Sequence, residues 1–113
     1  MYPRLFFLAA TLLSFNAAHA AGPYDGEWKG TAVTRPPCNM GEIALSVADN
    51  KVSGEARFPR GTPHIAGVVA DDGKFDGSVG HWRFTGIFKD DAFSGSFSTV
   101  GRCDMTVTLT RAK

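Results

Sequence analysis

A large apolar residue followed two positions later by glycine recurs along the chain, at Val52-x-Gly54, Ile65-x-Gly67, Phe75-x-Gly77, Phe84-x-Gly86 and Phe93-x-Gly95. The repeats lie about ten residues apart with turn-forming residues between them, the spacing of consecutive short β-strands. Side chains along a strand alternate between faces, so each large residue and its glycine share a face. The pattern predicts eight strands, over 24–34, 42–48, 51–58, 64–70, 74–79, 81–89, 92–99 and 103–111. No segment has helical periodicity, and the expected class is all-β.

The connections set the register. Asp49-Asn50 reads as a two-residue hairpin loop that places Val47 opposite Val52. Asp71-Asp72-Gly73, with Gly73 in the left-handed region, sets Val69 opposite Phe75, and Gly80-His81, with glycine first, sets Val79 opposite Trp82. Asp90-Asp91 sets Phe88 opposite Phe93, and Val100-Gly101-Arg102 sets Phe97 opposite Met105. All five preserve one apolar face, which a one-residue slip in any of them would destroy. The inward set runs from Trp28 and Ala32, through Ile43, Leu45, Val47, Val52, Ala56, Phe58, Ile65, Val69, Phe75 and Val79, to Trp82, Phe84, Phe88, Phe93, Phe97, Met105, Val107 and Leu109. Outward neighbours are mostly charged or hydroxylic, as expected for an antiparallel meander with one buried face.

The first twenty residues are set aside from this fold. Arg4, an apolar run from Leu5 to Phe15 and Ala18-His19-Ala20 have the layout of a secretory signal peptide, with cleavage expected before Ala21. No later apolar run approaches the roughly 18 residues of a membrane helix. The expectation is one β-barrel domain over 21–113, periplasmic or secreted, without membrane insertion. Removing Arg4 takes the 12 basic residues to 11, against 11 acidic ones, a balance that does not suggest nucleic-acid binding.

In an oxidising compartment Cys38 and Cys103 read as one disulfide. The inward glycines need a reason, because glycine weakens a strand interior. Tight curvature and close strand approach supply one: Gly67 falls opposite Gly77, and Gly86 opposite Gly95, with rings one step away to fold over the gaps. A closed eight-strand barrel makes the first and last strands neighbours and brings Cys38 and Cys103 to the same rim. The alternative is a two-layer β-sandwich.

The meander sorts charge onto two ends. Tight turns carry Asp49, Asp71, Asp72, Asp90 and Asp91; the end with the longer loops 34–41 and 59–63 collects Arg35, Arg57, Arg60, Arg83 and Arg102, with His64 and His81. Guanidinium groups match carboxylate and phosphate geometry and stay charged, so Arg35, Arg60 and Arg102 are the candidate contacts for an anion, with His64 and His81 beside them. Ordinary solvated surface charge is the competing reading. No third ligand joins the histidines, and neither a metal nor a cofactor is implied. No nucleophile elbow, zinc-protease helix or phosphate loop occurs, so the expectation is a non-enzymatic protein. Six inward phenylalanines and two tryptophans argue for a filled interior; rings that left the glycine tiers uncovered would open an apolar pocket lined by Trp28, Phe84 and Phe97.

The segment Tyr24-Asp25-Gly26-Glu27-Trp28-Lys29-Gly30 carries Gly-x-Trp in the first strand. It resembles the opening of calycin-type barrels: lipocalins, avidins and small periplasmic inhibitors of bacterial metalloproteases. The resemblance implies that Trp28 packs across the closed end of the barrel. Departures are plain: the chain is shorter than a lipocalin, its disulfide joins the two ends of the domain, and no inhibitory arm precedes Tyr24. The chain also resembles small exported bacterial proteins with the same repeated meander, which implies a fold and a compartment rather than an activity. The functional expectation is an exported binding module that engages an anionic small molecule or an acidic protein surface through its arginine-rich end. The alternatives are a calycin-like carrier of a small apolar ligand and a periplasmic protease inhibitor.

Overall fold

A computed structural model describes residues 22–99 and 103–112. The expected leader, its cleavage point and the connection holding Arg102 lie outside the described residues. Eight strands follow one another: β1 (Gly26–Val33), β2 (Gly41–Ala48), β3 (Lys51–Arg57), β4 (His64–Val69), β5 (Lys74–Val79), β6 (Trp82–Lys89), β7 (Ala92–Thr99) and β8 (Cys103–Arg111). Each pairs antiparallel with the next, and β8 pairs back onto β1, closing a barrel rather than a sandwich.

The turn chemistry accounts for the register. Asp49 and Asn50 both take positive φ, 52° and 65°, the type I′ geometry whose twist matches that of the flanking strands. Val47 consequently faces Val52. Gly80 alone is positive in its turn, at 59°, the II′ pattern, and Val79 faces Trp82. Gly73, at 94°, closes the loop between β4 and β5 and donates to Ala70 O at 2.9 Å. Val69 then faces Phe75, Phe88 faces Phe93, and Phe97 faces Met105.

One apolar interior follows. Trp28, Ile43, Leu45, Phe75, Phe84, Phe88, Phe93, Phe97, Met105 and Leu109 are all buried in it, and Phe58, Trp82 and Cys103 pack against its edge half-buried. Removal of such side chains from water is the main stabilising contribution, about 25 cal/mol per Å² of apolar surface. The glycine tiers are close approaches. A Cβ on Gly67 would stand 2.6 Å from Phe75 Cε1 and 2.7 Å from Gly77 Cα, and one on Gly86 would stand 2.8 Å from Gly95 Cα and also meet Phe93 Cζ. The rings of Phe75 and Phe93 therefore occupy the space the glycines leave. The phenylalanines meet mostly edge to face, as in Phe84 with Phe75, Phe93 and Phe97 at 5.1, 5.6 and 5.5 Å between centroids, an arrangement favoured by the ring quadrupole.

Candidate functional site

The two ends of the barrel are built differently. At the tight-turn end, residues 22–25 fold over the opening. Trp28 Nε1 donates to Tyr24 O at 2.9 Å, and the Trp28 ring meets Phe88 edge-on at 4.8 Å. Arg111 lies over the indole, its guanidinium carbon 4.9 Å from the ring centroid. It donates to the carbonyls of Asp25 (3.1 Å), Pro23 (2.9 Å) and Asp90 (3.1 Å). Its Nε also stands 3.1 Å from Asp91 Oδ1, off the hydrogen-bonding angle. The acidic turns are knit together as well: the Asp25 carboxylate accepts from Asp49 N at 3.0 and 3.1 Å, and Asn50 Nδ2 donates to Asp71 Oδ1 at 3.4 Å. This end is closed.

The opposite end is the mouth. Cys38 and Cys103 are joined there with Cα atoms 5.8 Å apart, a cross-link spanning 65 residues. Two short turns stand on either side of it. In the first, Cys38 N donates to Arg35 O at 3.0 Å across a cis Pro36–Pro37 bond. In the second, Phe58 and Gly61 exchange two backbone hydrogen bonds, 2.9 and 3.1 Å, around Pro59 and Arg60. Proline favours the second position of such a turn, and Arg60 sits third, without the positive φ a type II turn would require. Ala56 N donates to Pro63 O at 3.0 Å and ties the returning chain to β3.

These turns frame two clefts that share the disulfide as a wall. One, of about 420 Å³, is lined by Phe58, Trp82, Met105, Pro37, Pro63 and Arg60, with Asn39 and Thr99 at its rim. The other, of about 580 Å³, is more polar and holds Arg35, Thr34, Asp104 and Thr106. Asp104 accepts a hydrogen bond from Ser98 Oγ at 2.6 Å.

The sequence-expected residues divide accordingly. Arg35 and Arg60 both reach the mouth, one in each cleft; Arg102 lies outside the described residues. His64 and His81 are exposed at the same rim, where Gly80 N donates to His64 O at 2.8 Å, and they line neither cleft. Among the described residues no group of three or more His, Cys, Asp or Glu is placed to hold a metal ion. Arg57 and Arg83 do not contribute free charge: Arg57 pairs with Glu55 at 3.3 Å and Arg83 with Asp76 at 3.1 Å. The hydrogen bond and charge of Asp76 raise the Arg83 pKa above its ordinary value. Trp28, Phe84 and Phe97 do not line an opening. They are 0, 0 and 3% exposed within the ring cluster; Phe97 and Phe84 lie beneath the mouth, and Trp28 lies at the closed end.

Phe58, Trp82 and Met105 carry the apolar wall of the first cleft. The sequence marks them as inward but offers one further signal: Phe58 just beyond β3 and Trp82 at the start of β6 lie at the loop end, where the core runs out, and Met105 is the first core residue after Cys103 in β8. Among the described residues there is no helix long and apolar enough to cross a membrane. In comparison with known proteins, no family model matches the chain, and neither a curated protein nor a solved structure does.

Proposed function

We propose that this protein is an exported, non-enzymatic binding module of calycin-like architecture that takes an anionic ligand at the mouth of its barrel. One observation carries the reading. Among the described residues, Arg57, Arg83 and Arg111 each have an acidic partner, whereas Arg35 and Arg60 have none and both line clefts at the mouth. A guanidinium stays charged at any relevant pH, and its planar fork matches a carboxylate or phosphate bidentately. The calycin likeness draws support from Trp28, which packs across the closed end as the Gly-x-Trp resemblance implies. The disulfide fits an oxidising compartment. A small-molecule anion suits clefts of this size better than a protein surface does.

Calorimetric titration with inorganic phosphate, citrate and a polyglutamate peptide, at low and high salt, tests the reading. Saturable binding of one of them that weakens with salt and disappears in Arg35→Gln/Arg60→Gln supports it; preference for polyglutamate would identify an acidic protein as the partner. No binding by any of the three, or binding that the double substitution leaves unchanged, rejects it.

A further inference from the structure

Resting on the anion-binding reading above, we infer that the ligand of the 420 Å³ cleft is an amphipathic carboxylate, with a flat apolar body of small-molecule size and one anionic head. The two clefts differ in what they offer. The Arg35 cleft also has Asp104 in its lining, not paired with the arginine, so its charge is mixed and its walls are more polar. Among the described residues the Arg60 cleft has no acidic residue in its lining, and two aromatic side chains, a methionine and two prolines form its apolar wall. A bare phosphate or citrate would leave that surface wet. A neutral apolar molecule would leave Arg60 without a partner. Only a molecule carrying both chemistries uses the whole lining.

The floor explains why such a ligand stops at the mouth. Phe58 meets Phe97 edge-on at 6.3 Å, and below it Phe97 packs on Phe84 at 5.5 Å, so rings fill the barrel beneath the cleft. The volume falls within the range of about 300–1,000 Å³ for small-molecule sites. Phe58 and Trp82 are only half-buried by the core, and a planar apolar body can cover the rest of their surface by offset stacking. Methionine adds an adaptable, polarisable contact. Arg60 is the one cationic residue among the described residues lining this cleft, the charge that a single anionic head requires.

The full-length secreted protein is titrated calorimetrically with 2-naphthoate, 2-naphthamide and inorganic phosphate, with the two indole N–H resonances followed by NMR. The expected result is naphthoate binding at least tenfold tighter than either other compound, with the Trp82 resonance shifted and the Trp28 resonance, at the opposite pole, unmoved. In Arg60→Gln, an exposed turn substitution that leaves the core intact, naphthoate should fall to the level of naphthamide. Trp82→Phe assigns the shifted resonance. Phosphate binding as tight as naphthoate overturns the amphipathic ligand while leaving the anion reading standing. Naphthamide binding as tight as naphthoate overturns it in favour of a purely apolar site. No binding by naphthoate overturns the amphipathic ligand and leaves the anion reading to the phosphate, citrate and polyglutamate titrations, and a shift centred on Trp28 overturns the location.

Discussion

Arg111 and Trp28 stand directly opposite one another across the seam between β8 and β1, with the guanidinium carbon 4.9 Å from the indole centroid. The pair joins the last strand to the first at the point where the barrel must close. The same guanidinium holds carbonyls of the N-terminal segment and of the β6–β7 turn.

Arg111→Ala is therefore expected to destabilise the fold by about 1–3 kcal/mol, from the loss of charge-assisted hydrogen bonds and the cation–π contact. Arg111→Lys keeps the charge without the planar fork and should recover only part of this. Urea denaturation midpoints measure both. A change within about 0.5 kcal/mol for Arg111→Ala would show that the closed end is held by the indole and its neighbours alone.

The glycine tiers give a paired test. Gly86→Ala brings a Cβ to 2.6 Å from Ser94 O and 2.8 Å from Gly95 Cα, atoms that move only if two strands separate. Overpacking of this kind costs about 1–3 kcal/mol. Gly61→Ala meets nothing within 4 Å and has no positive φ, so it should be neutral or slightly stabilising. Equal midpoints for the two variants would refute the close-approach account of the inward glycines.

The Cys38–Cys103 cross-link spans 65 residues. In the chain-entropy description, closing a loop of that length limits the unfolded ensemble by about 4 kcal/mol. The Cys38→Ser/Cys103→Ser variant should lose a comparable amount. Oxidised wild type should also be more resistant to urea than reduced wild type, with the double variant indifferent to reductant. Equal resistance of the oxidised and reduced forms contradicts this.

The Arg83–Asp76 pair should contribute no pH dependence near neutrality. Its folded-state pKa is raised, so whatever stability the pair supplies is fully present below the ordinary arginine value and is lost only as pH climbs through the higher folded value. The side chains are 75% and 61% exposed, and exposed pairs are worth little. Arg83→Ala should shift the denaturation midpoint equally, and only slightly, across about pH 5 to 9. A pH-dependent difference in that window would assign Arg83 another partner.

The two tryptophans should differ in solution. Trp28 is fully buried at the closed end, and Trp82 is half-buried at the mouth. Acrylamide should quench one component of the emission and spare the other, and Trp82→Phe should leave a blue-shifted, quench-resistant signal. Full accessibility of the remaining tryptophan would mean that residues 22–25 do not cover that end.

Period-two alternation and turn chemistry were sufficient to place the eight strands, their inward faces and the pairing across each tight turn. Both are local properties: Asp49-Asn50 and Gly80 dictate their hairpins through positive φ, and each hairpin fixes the next face. The disulfide and the charge-sorted ends then followed from strand order. What the sequence did not reveal depends on side-chain direction and on residues far apart along the chain. Arg57 and Arg83 looked equivalent to Arg35 and Arg60, but Glu55 pairs with Arg57 as its neighbour on the same face of β3, and the β5–β6 register brings Asp76 within ion-pair distance of Arg83. Arg111 carried no motif; its role exists only because closure sets it across from Trp28. The aromatic residues were legible as inward, but whether they left a hollow depended on rings folding over glycines of neighbouring strands. Only the closed barrel, which brings Phe58 beyond the end of β3, Trp82 of β6 and Met105 of β8 to one mouth, decided where this cleft lies.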